Sequence, residues 1–196
     1  MTIAVAHYII CPWCWIGMHQ AHRLHREFGV TFDWQAYELM PENLPYSPSS
    51  PDPEKPADRT PTPSRFQLAL AASSVPKPTG VRPDEPRSHN VLESLEFAKE
   101  VGTHDAWMAR LYTAYWMVGE NVNDLGVMRK LAEGQFKEVD RMIQAVENRE
   151  FDARIIKFDD DAYAAGIYNV PTFIINGEKF AEQPYVVLAD AVRAAL

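Results

Sequence analysis

Cys11-Pro12-Trp13-Cys14 stands directly between an apolar run and a helical pattern, and that junction constrains the fold more than any other stretch. Thr2 to Ile10 is rich in β-branched and aromatic residues and reads as a buried strand. From Pro12 the period changes: Trp15, Met18, Ala21, Leu24 and Phe28 recur at helical spacing, and Gly29 stands where a helix C′ residue would. Proline suits the first turn of a helix, where its missing N–H would have had no partner. Cys11 is thus expected at a helix N-terminus, with Cys14 one turn inside.

That position has chemical consequences. Unpaired backbone N–H groups and the positive end of the helix dipole favour a thiolate, so the pKa of Cys11 should fall. A thiolate is the species that attacks a disulfide. Cys11 is then the exposed nucleophile, and Cys14 the shielded thiol that closes or resolves a disulfide. A zinc site wants four ligands, and the chain holds only these two cysteines. His7, His19 and His22 form no second pair with ligand-like spacing, so no metal is expected at the motif. A structural disulfide across so short a loop would restrain little of the unfolded chain. Redox chemistry is the reading that remains.

After Gly29, Val30 to Leu39 alternates apolar and polar residues as a strand with one buried face does. Strand, helix and strand form a βαβ unit with a right-handed crossover and parallel strands. Composition then shifts: twelve of the fifteen prolines fall between Pro41 and Pro86. Pro48 to Pro56 excludes helix or central strand and reads as an extended surface loop. Ser64 to Ser74 reads as a short helix. Helical patterns follow over Ser88–Val101, from the Thr103 cap to Gly119, from Asn123 or Asp124, and through Phe136, Val139, Ile143 and Val146. A fifth is expected through Phe151, Ile155, Phe158, Ala162 and Ala165, ending at Gly166. Val170 to Ile175 returns to strand, Asn176-Gly177 signals a hairpin, and a helix from Pro184 closes the chain. A proline opening a buried strand is awkward, and a cis bond after Val170 resolves it.

Cys11-Pro12-Trp13-Cys14-Trp15-Ile16-Gly17, Tyr37-Glu38-Leu39 with Pro41, and Ala114-Tyr115-Trp116 with Gly119 occur in order with Gly166-Ile167, Val170-Pro171-Thr172-Phe173 and Gln183-Pro184. Together they resemble the DsbA family, and more closely its cytoplasmic FrnE-like branch of dithiol–disulfide oxidoreductases. The resemblance implies an α/β, thioredoxin-like fold with a large all-helical insertion. Residues 1–40 and 150–196 would form the thioredoxin-like part, and residues 41–149 the inserted proline-rich loop and helices. It implies Cys11 as nucleophile, Cys14 as resolving thiol and Pro171 as the cis-proline facing them. Pro12, Trp13, Val170 and Thr172 would meet substrate, with the Val170 backbone pairing to it as a strand. No bound cofactor is implied, since the dithiol is itself the redox centre.

Two departures carry expectations. Trp13 stands where the DsbA-type motif has histidine, which removes a cation near the Cys11 thiolate and predicts a less oxidising couple. Tyr8 stands where FrnE-like relatives have aspartate, so a proton acceptor for Cys14 must come from elsewhere. Glu38, at the end of the second strand, is the candidate, against the plainer reading of a solvated strand-end acid.

The expected activity is thiol–disulfide exchange of the reductase or isomerase type, on a disulfide-containing protein or small molecule, with glutathione as a conceivable co-substrate. The alternative on this fold is a glutathione-dependent transferase or isomerase, of the kappa-class or hydroxychromene-carboxylate isomerase type. A third reading is a non-redox adaptor acting through the proline-rich loop. A net charge of −8 with no basic run argues against nucleic acid, and no apolar stretch has the length of a membrane span. The chain is expected to be cytoplasmic, as a monomer or a homodimer.

Overall fold

The computed structural model describes residues 1–45, 63–84 and 86–196. The proline-rich stretch Pro48 to Pro56 therefore lies outside the described residues.

Among those residues the sheet has five strands in the order β3-β2-β1-β4-β5. Strand β1 (Thr2–His7) lies parallel to β2 (Thr31–Glu38), and helix α1 (Pro12–Phe28) makes the crossover. On the other side β4 (Thr172–Ile175) runs antiparallel to β1, and β5 (Glu178–Ala181) antiparallel to β4. The Asn176-Gly177 turn has both residues at positive φ, 49° and 82°, as a primed two-residue hairpin requires. Helix α8 (Tyr185–Ala195) follows.

Between β2 and β3 the described chain is helical. It comprises α2 (Arg65–Ser73), α3 (His89–Glu100), α4 (His104–Thr113), which runs into a π-helical turn at Ala114–Val118, α5 (Leu125–Ala132) and α6 (Val139–Glu147). Ser64 caps α2 in a reciprocal capping box with Gln67, and Asp124 caps α5 through Val127 N–H. Thr103 stands at the N-cap of α4 without a side-chain cap bond. Val118, which continues the apolar period of Trp107, Leu111, Ala114 and Tyr115, is 64% exposed, because the π turn rotates the helix end before Gly119 leaves at φ 89°.

Two sequence expectations need correction. The first strand ends at His7, not Ile10. Tyr8, Ile9 and Ile10 are buried in the turn that follows, and helix α4 with its π turn reaches the carbonyls of Tyr8 and Ile9. Trp116 Nε1 donates to Ile9 O at 3.1 Å, Tyr112 Oη donates to Tyr8 O at 3.5 Å, and Cys11 N closes a turn onto Tyr8 O at 3.0 Å. The expected fifth helix is also broken. Asp152–Arg154 is a 3₁₀ turn, Ile156–Lys157 is strand β3 beside Tyr37 and Glu38, and only Asp160–Ala164 (α7) is helical. The open edge of β2 explains the break, since pairing there satisfies backbone groups that a continuous helix would have left bare. Phe158 N donates to Glu38 O at 3.1 Å in the same register.

One continuous apolar core runs from the sheet through α1 into α3, α4 and α6. The inserted helices therefore share their packing with the strands they interrupt, and they reach the loop that carries the motif.

Candidate active site

Cys11 is the N-cap of α1, with extended backbone (φ −81°, ψ 124°), and Pro12 opens the helix. Cys11 is partly exposed, whereas Cys14, one turn inside, is fully buried. Both are free thiols. A hydrogen bond from the Cys14 thiol holds Cys11 below the ordinary thiol range, against the burial that would raise it; the Trp13 and Cys14 N–H groups add to the lowering. Burial, reinforced by the Cys11 charge, pushes Cys14 well above the ordinary range. The pair is thus polarised into one thiol tuned towards its thiolate and one shielded thiol.

Pro171 is preceded by a cis peptide bond and follows Val170, whose carbonyl accepts a hydrogen bond from the Cys11 thiol at 3.4 Å. Gly17 lets α1 approach this loop: a Cβ there would lie 2.7 Å from Pro171 Cγ. Thr172 lies within β4 and is 1% exposed, with its hydroxyl turned back onto Asn169 O at 2.6 Å. Its side chain is buried and braces the loop. Trp13 and Pro171 line a groove of about 910 Å³ between α2 and α8, together with Arg65, Leu68, Gln183 and Tyr185. Phe66 packs edge-on against Trp13 at 5.7 Å, and Arg65 lies 4.6 Å over the Trp13 ring. That guanidinium brings a cation back to the motif, yet Glu182 pairs with it at 2.8 Å and its carboxylate opposes ionisation of both thiols.

Glu38 is not a solvated acid. It is 1% exposed, and both carboxylate oxygens lie within 3.3 Å of His89 Nδ1. The polar groups around Cys14 come from the stretch just before the motif and from α4. Tyr8 N donates to Cys14 Sγ at 3.3 Å. The Tyr112 hydroxyl lies beside the Cys14 sulfur and 3.3 Å from His7 Nδ1. His7 and Tyr112 are fully buried, and burial drives His7 well below its ordinary value, leaving a neutral imidazole. Sequence reading missed both residues. His7 had a place in a strand pattern and Tyr112 in a helical one, and only the packing of α4 on the turn after β1 brings them to the thiol.

The fold and site together define a family. The DSBA-like thioredoxin domain matches residues 5–193, and the chain belongs to that family. A probable DsbA oxidoreductase from Streptomyces coelicolor is similar in structure, at TM-score 0.70 and 22% identity, over 100% of this chain and 89% of that one. A 2-hydroxychromene-2-carboxylate isomerase also reaches TM-score 0.70, at 12% identity, over 99% of this chain and 95% of that one. The cytosolic disulfide reductase DsbM from Pseudomonas aeruginosa, in a structure with GSH, gives TM-score 0.66 at 16% identity, over 99% of this chain and 96% of that one.

Proposed function

We propose that this chain is a thiol–disulfide oxidoreductase of the reductase or isomerase type. The observation that carries the reading is the opposite tuning of the two thiols beside cis-Pro171: a partly exposed Cys11 with lowered pKa and a buried Cys14 with raised pKa. In the cycle, the Cys11 thiolate attacks a substrate disulfide. A Cys11–substrate bond forms, the substrate's own S–S bond breaks, and its second sulfur leaves as a thiolate that takes up a proton. Cys14 then attacks the Cys11 sulfur, and its proton passes by way of water to the substrate thiolate that departs. The Cys11–Cys14 disulfide forms and the remaining substrate thiolate departs. Two external thiols such as glutathione restore the dithiol and become a disulfide. Substrate lies in the groove between Trp13 and Pro171, and the Val170 carbonyl becomes available to a docked peptide once the Cys11 thiol no longer donates to it. The hydroxyl beside Cys14 is that of Tyr112, backed by His7 and placed to hydrogen-bond to the Cys14 sulfur as the thiolate forms; Glu38 is held by His89. A reducing, cytoplasmic setting suits this direction of exchange. The absence of a spanning helix among the described residues agrees with a chain that works off the membrane.

The test is dithiothreitol-coupled insulin reduction. Cys11→Ser abolishes it and Cys14→Ser accumulates mixed disulfides on Cys11; full activity in Cys11→Ser defeats the proposal. The glutathione-dependent isomerase reading draws on the isomerase-like fold, but such chemistry leaves Cys14 without a task. Titration with glutathione, followed by the fluorescence of Trp13 and Trp15, separates the two. Saturable binding that survives Cys14→Ser together with no insulin reduction would favour the isomerase.

A further inference from the structure

A second cluster of chemistry-bearing side chains lies where α3 begins, beyond the end of β2. His89 and Glu93 are four residues apart on α3 and share a face. The 3₁₀ turn after α6 brings Asp152 to them. His89 Nε2 lies 3.5 Å from Glu93 Oε1 and 3.3 Å from Asp152 Oδ1, and all three ligand atoms fall within 4.8 Å of one another. An ion bound at about 2.0–2.2 Å by tetrahedrally arranged N and O ligands separates them by about 3.3–3.6 Å. Two of these pairs already have that spacing.

The ligand atoms are also oriented from behind. His89 Nδ1 faces the buried Glu38 carboxylate at 3.1 Å, the carboxylate–histidine arrangement that fixes a tautomer with Nε2 turned outward. Glu93 Oε2 accepts from Phe151 N at 2.8 Å, which leaves Oε1 to the cluster. Glu93 is fully buried, and Oε1 has no hydrogen-bond donor at bonding distance. A buried carboxylate oxygen in that state asks for a cation. Asp152 is 52% exposed, so the cluster opens to solvent on one side and leaves room for a water ligand. The other charges facing it are Arg149 and Glu42, and they neutralise each other: Arg149 donates to Glu42 at 2.8 Å and to Asn90 at 3.0 Å. Three carboxylates, those of Glu38, Glu93 and Asp152, thus converge on one imidazole.

We infer that His89, Glu93 and Asp152 form a binding site for a divalent cation of the zinc type, with Glu38 as the residue that positions His89. Imidazole nitrogen with two carboxylates suits Zn²⁺ better than the all-oxygen cations magnesium and calcium.

The test uses the full chain carrying Cys11→Ser and Cys14→Ser, so that the motif thiols supply no ligand, titrated calorimetrically with ZnCl₂. One equivalent binds. Asp152→Asn, at an exposed position on which the fold does not depend, lowers the affinity at least tenfold. Glu38→Gln weakens it by about 10–100-fold, the usual effect of removing the partner of a ligating histidine. Co²⁺ in place of Zn²⁺ gives a visible d–d spectrum that Asp152→Asn alters. Failure to bind one equivalent, or an affinity unchanged by Asp152→Asn, overturns the site.

Discussion

Cys11 and Cys14 differ in their surroundings far more than in their chemistry. The hydrogen bond from Cys14 and the N–H groups at the start of α1 favour the Cys11 thiolate, so its alkylation by iodoacetamide should show an inflection below the ordinary thiol value of 9.0, while Cys14 stays unreactive until the chain unfolds. A lowered folded pKa is also a stability term. It is complete above the unfolded value near 9.0 and is lost as pH falls through the folded value, so Cys11→Ser should remove a rise in melting temperature of the reduced protein across that interval. Cys14 must lose a proton in a dry pocket, and Tyr112 is the hydroxyl beside it. Tyr112→Phe should slow resolution of a Cys11 mixed disulfide by roughly a hundredfold, the low end of general acid–base contributions, measured by quenched-flow alkylation. An unchanged resolution rate would remove Tyr112 from the mechanism. At this scale the placement of Cys11 at a helix start and of Cys14 one buried turn inside was legible in the sequence, because one tetrapeptide at a strand–helix junction fixes both. The company of Cys14 was not, since Tyr112 is about a hundred residues away and only packing brings it there.

Helix α1 presents its first turn to the cis-Pro loop, and Gly17 sets the distance. Alanine at position 17 should gain about 1 kcal/mol of helix propensity, yet its Cβ would sit 2.7 Å from Pro171 Cγ and 3.0 Å from Pro171 Cβ, closer than such atoms pack. Gly17→Ala should therefore push the loop away from Cys11 and cut kcat/KM for insulin reduction several-fold, with little loss of melting temperature. A large loss of stability with unchanged kcat/KM would contradict that reading. Elements whose apolar period matched their packing were readable in advance: α1 with its Gly29 cap, the parallel β1–β2 pair and the Asn176-Gly177 hairpin. The stretch from Phe151 to Ala165 was not. Its apolar residues recur at steps of four and three, but the unpaired edge of β2 draws Ile156 and Lys157 into a strand. That tertiary pairing carries Asp152 to His89, which is why no reading of spacing alone joins them.

For the whole molecule, the sheet positions the two thiols and the inserted helices complete their surroundings. Trp15 Nε1 donates to Pro76 O at 2.8 Å and Trp116 Nε1 to Ile9 O at 3.1 Å, so the motif loop is tied to the insertion on both sides. The charge around the motif decides how oxidising the couple is. Trp13 provides no cation, and the guanidinium of Arg65 is offset by Glu182. The reduced state should therefore lack the strong stabilisation that makes DsbA an oxidant at about −120 mV. The most direct test of this account is the equilibrium of Cys11 and Cys14 against a glutathione redox buffer, read by thiol alkylation and mass. The account predicts an intramolecular Cys11–Cys14 disulfide at a potential clearly more reducing than about −120 mV. A stable glutathione adduct on Cys11 with no Cys11–Cys14 disulfide at any ratio of the buffer would contradict it.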